Sequence, residues 1–219
     1  MRRVLSVALV LMMILVGCGN QNSSANQNED DRAGVKIAKV GDRGGLPPYE
    51  YPGPELFYSV LYQYIIDEFG KNYESADVAI PCPLIVAMDE SDKSDIKVWA
   101  DFELYNYRLN NDILDCISGG SHPGCMHLDG SGDGYKVTGF EAVEDGSDYD
   151  SSAKEIFGDH YEEFINIKAD EDYCKNIRAQ VIANYSDVNN LELKAFQDYG
   201  QDPVELPEPN IDNFYGPLD

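Results

Sequence analysis

The sequence predicts an α+β domain: a curved antiparallel β-sheet with helices packed on one face. Three observations carry this expectation. An amphipathic helical pattern spans residues 54–70, strand-like segments fill residues 78–143, and two helical patterns follow Asp150. Helices and strands that segregate along a chain, instead of alternating, favour α+β over a parallel α/β architecture.

The chain opens with Met1-Arg2-Arg3 and an apolar run from Val4 to Val16, interrupted by Ser6. A basic start, a short hydrophobic core and a small residue before a cut have the layout of a secretory signal peptide. The run is shorter than the ~20 residues a spanning helix needs. Leu15-Val16-Gly17-Cys18 resembles the lipobox of bacterial lipoproteins. That resemblance implies removal of residues 1–17, lipidation of Cys18 by palmitate-type chains, and an extracytoplasmic domain anchored to the cell membrane. Residues 18–34 then form the lipidated cysteine and a flexible, Asn/Ser-rich tether. Residues 35–219 form one domain, a length suited to a single core.

Composition narrows the partners. The net charge is −24, and loss of Arg2 and Arg3 makes the mature chain more negative still. Nucleic acid is an unsuitable partner, because binding it requires Lys and Arg to neutralise phosphates. Anionic lipid would repel such a surface, so the lipid anchor must provide the membrane contact. The acids are spread along the chain, as in a solvated surface, and no cofactor is expected.

Within the domain, residues 35–40 read as a short strand and residues 41–54 as a Gly/Pro-rich loop. Pro54 suits the first turn of a helix, whose apolar face is Leu56, Phe57, Val60, Leu61, Tyr64, Ile65 and Phe69, closed by Gly70. Residues 78–88 are apolar but contain Pro81 and Pro83, which points to an edge strand. Residues 96–109 are the strongest strand, turned back by Asn110-Asn111-Asp112 into residues 113–118. Strands follow at 125–128 and 135–143. Ser152 and Glu155 fit a capping box for a helix carrying Ile156, Phe157, Tyr161, Phe164 and Ile165. A last helix at 172–185 should bury Tyr173, Ile177, Val181, Ile182 and Tyr185, followed by a strand at 191–199 and a proline-rich tail.

The central strand carries the leading site candidate. Ile96, Val98, Ala100, Phe102 and Leu104 fall on one side, and Trp99, Asp101, Glu103, Tyr105 and Tyr107 on the other. Rings with a few carboxylates suit a ligand pocket, the second set forming its lining; a half-exposed sheet face is the alternative. Four cysteines remain after Cys18. Cys116 and Cys125 would face each other across a hairpin at Gly120-Ser121, a disulfide candidate that Pro123 weakens. Buried free thiols are the alternative. Ser118 to Gly124 reads as a tight turn, since no lysine completes a phosphate loop and no GxSxG elbow is present. His122, Cys125, His127 and Cys116 lack the spacing of a structural zinc site. Asp129, Ser131 and Asp133 resemble half of a calcium loop, with Phe140 where the bidentate glutamate belongs; a hairpin turn is the leading reading, and no metal is expected.

The wording VWADFELYNYRLNNDIL, then SGGSHPGCMHL, then GYKVTGFEAVEDGS resembles small bacterial lipoproteins of the NTF2-like, or cystatin-like α+β, superfamily. The resemblance implies helices on a strongly curved sheet around a cone-shaped cavity. Isomerase-type members use an Asp base with Tyr or Asp oxyanion donors, to which Asp101 and Tyr105 correspond by type only. The functional expectation is non-catalytic binding of a small molecule or an envelope partner. The alternatives are a cavity enzyme moving a proton on a carboxylate, and a structural surface domain without a cavity.

Overall fold

A computed structural model describes residues 45–212. The signal segment, Cys18, the tether and the strand expected at residues 35–40 lie outside the described residues.

Helix α1, Leu56–Tyr64, starts two residues later than Pro54 suggested and runs on through a π-type turn, Ile65–Phe69, and a 3-10 turn, Gly70–Asn72. Its inner side is Phe57, Tyr58, Leu61, Tyr62, Ile65 and Phe69. Among the described residues seven strands form one sheet: β1 (Val78–Asp89), β2 (Ile96–Asn110), β3 (Ile113–Gly120), β4 (Pro123–Asp129), β5 (Lys136–Ala142), β6 (Ala195–Gln197) and β7 (Val204–Glu205). Three helices, α2 (Tyr149–Phe157), α3 (Tyr161–Ala169) and α4 (Glu171–Val188), lie between β5 and β6. The architecture is α+β, as expected. All strand pairs are antiparallel except β3 with β6.

The 15-residue strand β2 organises the sheet. One of its edges pairs with β1, through a bulge at Val86. The other pairs with β3 at residues 104–110 and with β4 at residues 96–101. Leu104 faces Gly120 and Asp101 faces Pro123, so two residues oppose two across the gap. The Phe102 amide donates to the His122 carbonyl at 3.2 Å. Residues 113–129 are therefore one long strand with a brief interruption in its ladder. The expected turn at Gly120-Ser121 does not exist. What reads as turn chemistry is a demand for small residues. A Cβ on Gly119 would stand 2.7 Å from the Tyr105 ring and 3.0 Å from the Leu104 carbonyl oxygen.

This corrects the disulfide candidate. Cys116 faces Tyr107 and Cys125 faces Trp99, on one extended stretch. Nine residues of strand separate them by roughly 30 Å, far beyond the reach of a disulfide. Both thiols are free.

Both faces of the sheet are covered, which corrects the expectation of helices on one face only. Even-numbered residues of β2 from Ile96 to Leu104 are 0 % exposed. Phe102 meets Phe140 edge-on, and Phe140 in turn meets Phe69 at the end of α1. The odd-numbered side receives the Ile156 carbonyl of α2, Lys168 of α3 and Arg178 of α4. Helix α4 also reaches the α1 layer, because Tyr185 stacks on Tyr49, which stacks on Tyr62. Each fully buried large apolar side chain contributes roughly 1.5–3 kcal/mol, and both layers draw on this strand.

Local departures have local causes. The helix expected to run through residues 152–165 is split, because Gly158 at φ 51 ends α2 in a conformation glycine adopts without strain. Ser152 lies within α2 rather than capping it, bonding back to the Asp148 and Tyr149 carbonyls. Asp170 caps α4 by accepting from the Tyr173 amide, which leaves Tyr173 40 % exposed and not buried as expected. The Asn110–Asp112 turn is present, with Asn111 at φ 57.

Gly124 in β4 tests the packing. A Cβ there would overlap the Glu141 carbonyl oxygen of β5, whereas one on Gly139 meets nothing within 4 Å. Gly124→Ala should cost about 3 kcal/mol in urea unfolding, and Gly139→Ala should fall within about 0.5 kcal/mol of wild type.

Candidate functional site

The odd side of β2 carries Trp99, Asp101, Glu103, Tyr105 and Tyr107, as the alternation of the strand requires. All five lie in one row, but α2, α3 and α4 cover it. Tyr107 is 0 % and Asp101 1 % exposed.

At one end, the Trp99 indole N–H donates to the Ile156 carbonyl at 2.8 Å, and its ring lies 5.0 Å from that of His160. Trp99 thus fixes α2 to the sheet. At the other end, Arg178 is held on three sides. Its Nε donates to the Tyr107 hydroxyl, and its two terminal nitrogens donate to Asp198 at 3.0 and 2.8 Å. Its guanidinium carbon lies 3.7 Å from the Tyr105 ring centroid and 4.2 Å from that of Phe196. Planarity lets arginine stack and pair at once. Tyr105 and Tyr107 therefore serve largely to seat α4.

Asp101, Glu103, Ser121 and Lys168 form the polar centre. Lys168 Nζ donates to Asp101 Oδ2 at 2.9 Å and to Ser121 Oγ at 2.8 Å, and Ser121 Oγ donates to the Asp101 carboxylate at 2.7 Å. Asp101 is buried and Ser121 exposed, while the Lys168 side chain is 38 % exposed, so the cluster runs from the interior to solvent. Burial disfavours the Lys168 ammonium, but the Asp101 charge and its hydrogen bonds outweigh that and raise its pKa. Lys168 is therefore a fixed cation and unsuited to act as a base toward Ser121.

Glu103 differs from the rest. Burial, then the neighbouring Asp101 charge, pushes its pKa up to about 7 against the opposing pull of the Tyr105 hydrogen bond, Lys168 and Arg178. The Tyr105 hydroxyl donates to Glu103 Oε2 at 2.9 Å. A carboxyl poised near neutrality beside a fixed ammonium can hold or release a proton at physiological pH.

Lys168 and Arg178 escape the sequence reading, and Ser121 is read there only as part of a turn. Lys168 and Arg178 stand on helices whose docking face no local pattern reveals.

Of the remaining candidates, Cys116 and Cys125 flank the row opposite Tyr107 and Trp99, and the others lie away from it. His122 lies on the opposite side of the strand, stacked 4.3 Å from Phe69 and 3.1 Å from the Tyr73 hydroxyl; burial lowers its pKa. Cys125 and His127 point to the odd side near the β1–β2 turn, where Asp95 contacts His127 Nδ1 at 2.6 Å. Among the described residues, no group of three or more His, Cys, Asp or Glu is placed to hold a metal ion. Asp129 Oδ1 accepts from the Ser131 amide and hydroxyl; with Asp133 these residues make the hairpin turn between β4 and β5. Comparison with protein-family models, curated proteins and solved structures finds no match.

The raised Glu103 pKa sets a pH dependence. Between about pH 4.5 and 7 the folded chain holds a proton on Glu103 that the unfolded chain has lost. Glu103 therefore weakens the fold as pH rises through this window, by about 3 kcal/mol. Glu103→Gln should reduce that loss in urea titrations from pH 4.5 to 8, with the variant gaining on wild type as pH rises. Parallel curves would contradict the assignment.

Proposed function

We propose that the chain is a lipid-anchored extracytoplasmic binding domain of NTF2-like type. It attaches to the membrane through Cys18 and holds a small molecule or an envelope partner without transforming it. The observation that carries the binding reading is the graded cluster in which exposed Ser121 and half-exposed Lys168 stand over buried Asp101, beside Glu103. A fixed ammonium, a hydroxyl and a carboxyl near its midpoint offer both donors and an acceptor to a small polar ligand. The contact is narrower than the full row, because Trp99 and Tyr107 are engaged with the helices.

A second reading rests on Glu103 itself. A carboxyl raised to about 7 has the pKa of a general acid or base, the requirement of an isomerase- or dehydratase-like proton transfer. The ordinary chemistry of Ser121 beside a protonated lysine gives no comparable support to acyl transfer.

Two measurements test the proposal. The wild-type protein expressed in a bacterium should partition into the detergent-rich phase, and Cys18→Ala into the aqueous phase. Equal partitioning would remove the anchor. Small carboxylic acids and amides screened by thermal shift should give hits that Glu103→Ala and Ser121→Ala lose together. Hits indifferent to both variants would move the binding site elsewhere.

A further inference from the structure

Strand β1 ends the sheet on one side, since among the described residues it pairs only with β2. An edge strand directs alternate N–H and C=O groups outward, and proteins normally protect them. The first half of β1 is protected. Pro81 and Pro83 lack donors, residues 80–84 are buried, and α4 packs alongside. Among the described residues nothing pairs with the outer edge of the second half, although the Val86 side chain packs against the α2–α3 cluster. After the bulge at Val86, residues 85–88 are half-buried and Asp89 is exposed.

This half opens on a cleft of about 1030 Å³. Its floor is residues 86–88 of β1 and Leu56, which is 65 % exposed. Its walls are the start of α1, with Glu55, and the α2–α3 junction, with His160 and Glu163, while Glu90 stands at the rim just after β1. Among the described residues no lysine or arginine lines it. Lys93 pairs with Glu90 from outside the lining at 2.9 Å, in an exposed pair of the kind that contributes little.

We infer that the half of β1 whose outer edge is left unpaired among the described residues is a docking edge for an extended basic segment of another polypeptide, which adds a strand beside residues 85–89. Backbone pairing supplies the attachment, as in other cases of strand addition. Lys or Arg side chains on one side of the added strand meet Glu55, Glu90 and Glu163, and apolar side chains on the other meet Leu56 and Met88. A second copy of this chain is excluded as the preferred occupant by charge, since each copy carries −24. The site is separate from the Asp101–Glu103 cluster and does not depend on that reading.

The probe is a fluorescent, acetylated and amidated Lys-Val-Lys-Val-Lys-Val peptide, titrated by anisotropy into the full chain in non-ionic detergent. Three results are expected. Binding saturates, and residues 85–89 gain protection in hydrogen exchange. Methylating alternate backbone nitrogens weakens binding at least tenfold. Glu90→Lys combined with Glu163→Lys weakens it at least tenfold. Absence of saturable binding, equal binding of the methylated peptide, or protection confined to other residues would overturn the inference. The methylated peptide is read on the wild-type chain, so the test does not depend on the variant folding. Sedimentation of the wild-type chain as a dimer that the peptide cannot dissociate would assign the edge to a second copy and also overturn it.

Discussion

The rest of the structure depends on a single constraint, that β2 is covered on both sides while one of those sides carries charge. A buried carboxylate costs several kcal/mol unless it is paired and hydrogen-bonded. Asp101 meets that requirement only if Lys168 and Ser121 reach it. Because Lys168 stands on α3 and Ser121 on the strand beside β2, satisfying one side chain fixes the seating of a helix and the path of a strand. Arg178 imposes the same demand farther along, joining α4 to Tyr105, Tyr107 and Asp198. The polar row thus specifies how the second layer docks, and the apolar side supplies the bulk of the burial.

Much of this was legible from the residues alone. The strong alternation of residues 96–109 gave the central strand and its apolar side, since period-two patterning survives any tertiary context that buries one face. Pro81 and Pro83 marked an edge strand, and Asn111 marked the turn into β3. The failures share a cause. Gly119, Gly120 and Gly124 signal a turn when read locally, yet here they make room for Tyr105, Tyr73 and the β5 backbone. Glycine reports a lack of space or a special backbone, and sequence does not say which. The Ser152 box failed because Ser also bonds back to the preceding turn inside a helix.

The site was half visible. Trp99, Asp101, Glu103, Tyr105 and Tyr107 share a face because they alternate. Which of them touch solvent was decided by α3 and α4, whose docking partners are 65 to 75 residues away along the chain. Glu103 is a raised acid close to the solvent-facing Lys168. Trp99, the most conspicuous residue of the sequence, is a structural fastener.

The parallel pairing of β6 with β3 has a consequence for how the chain reaches its fold. Strands β1 through β5 meet partners close in sequence, and their loops close at little entropic cost. Strand β6 must cross back to Ile113, Leu114 and Asp115 from residues 195–197, after α2, α3 and α4 have been laid down. Such a distant contact is slow to form. The meander of β1 to β5 is therefore the natural nucleus, and the β6 closure, clasped by Lys194 on Asp112, belongs at the end of assembly. Until it forms, the outer edge of β3 and the apolar side of α4 stay open to wrong partners.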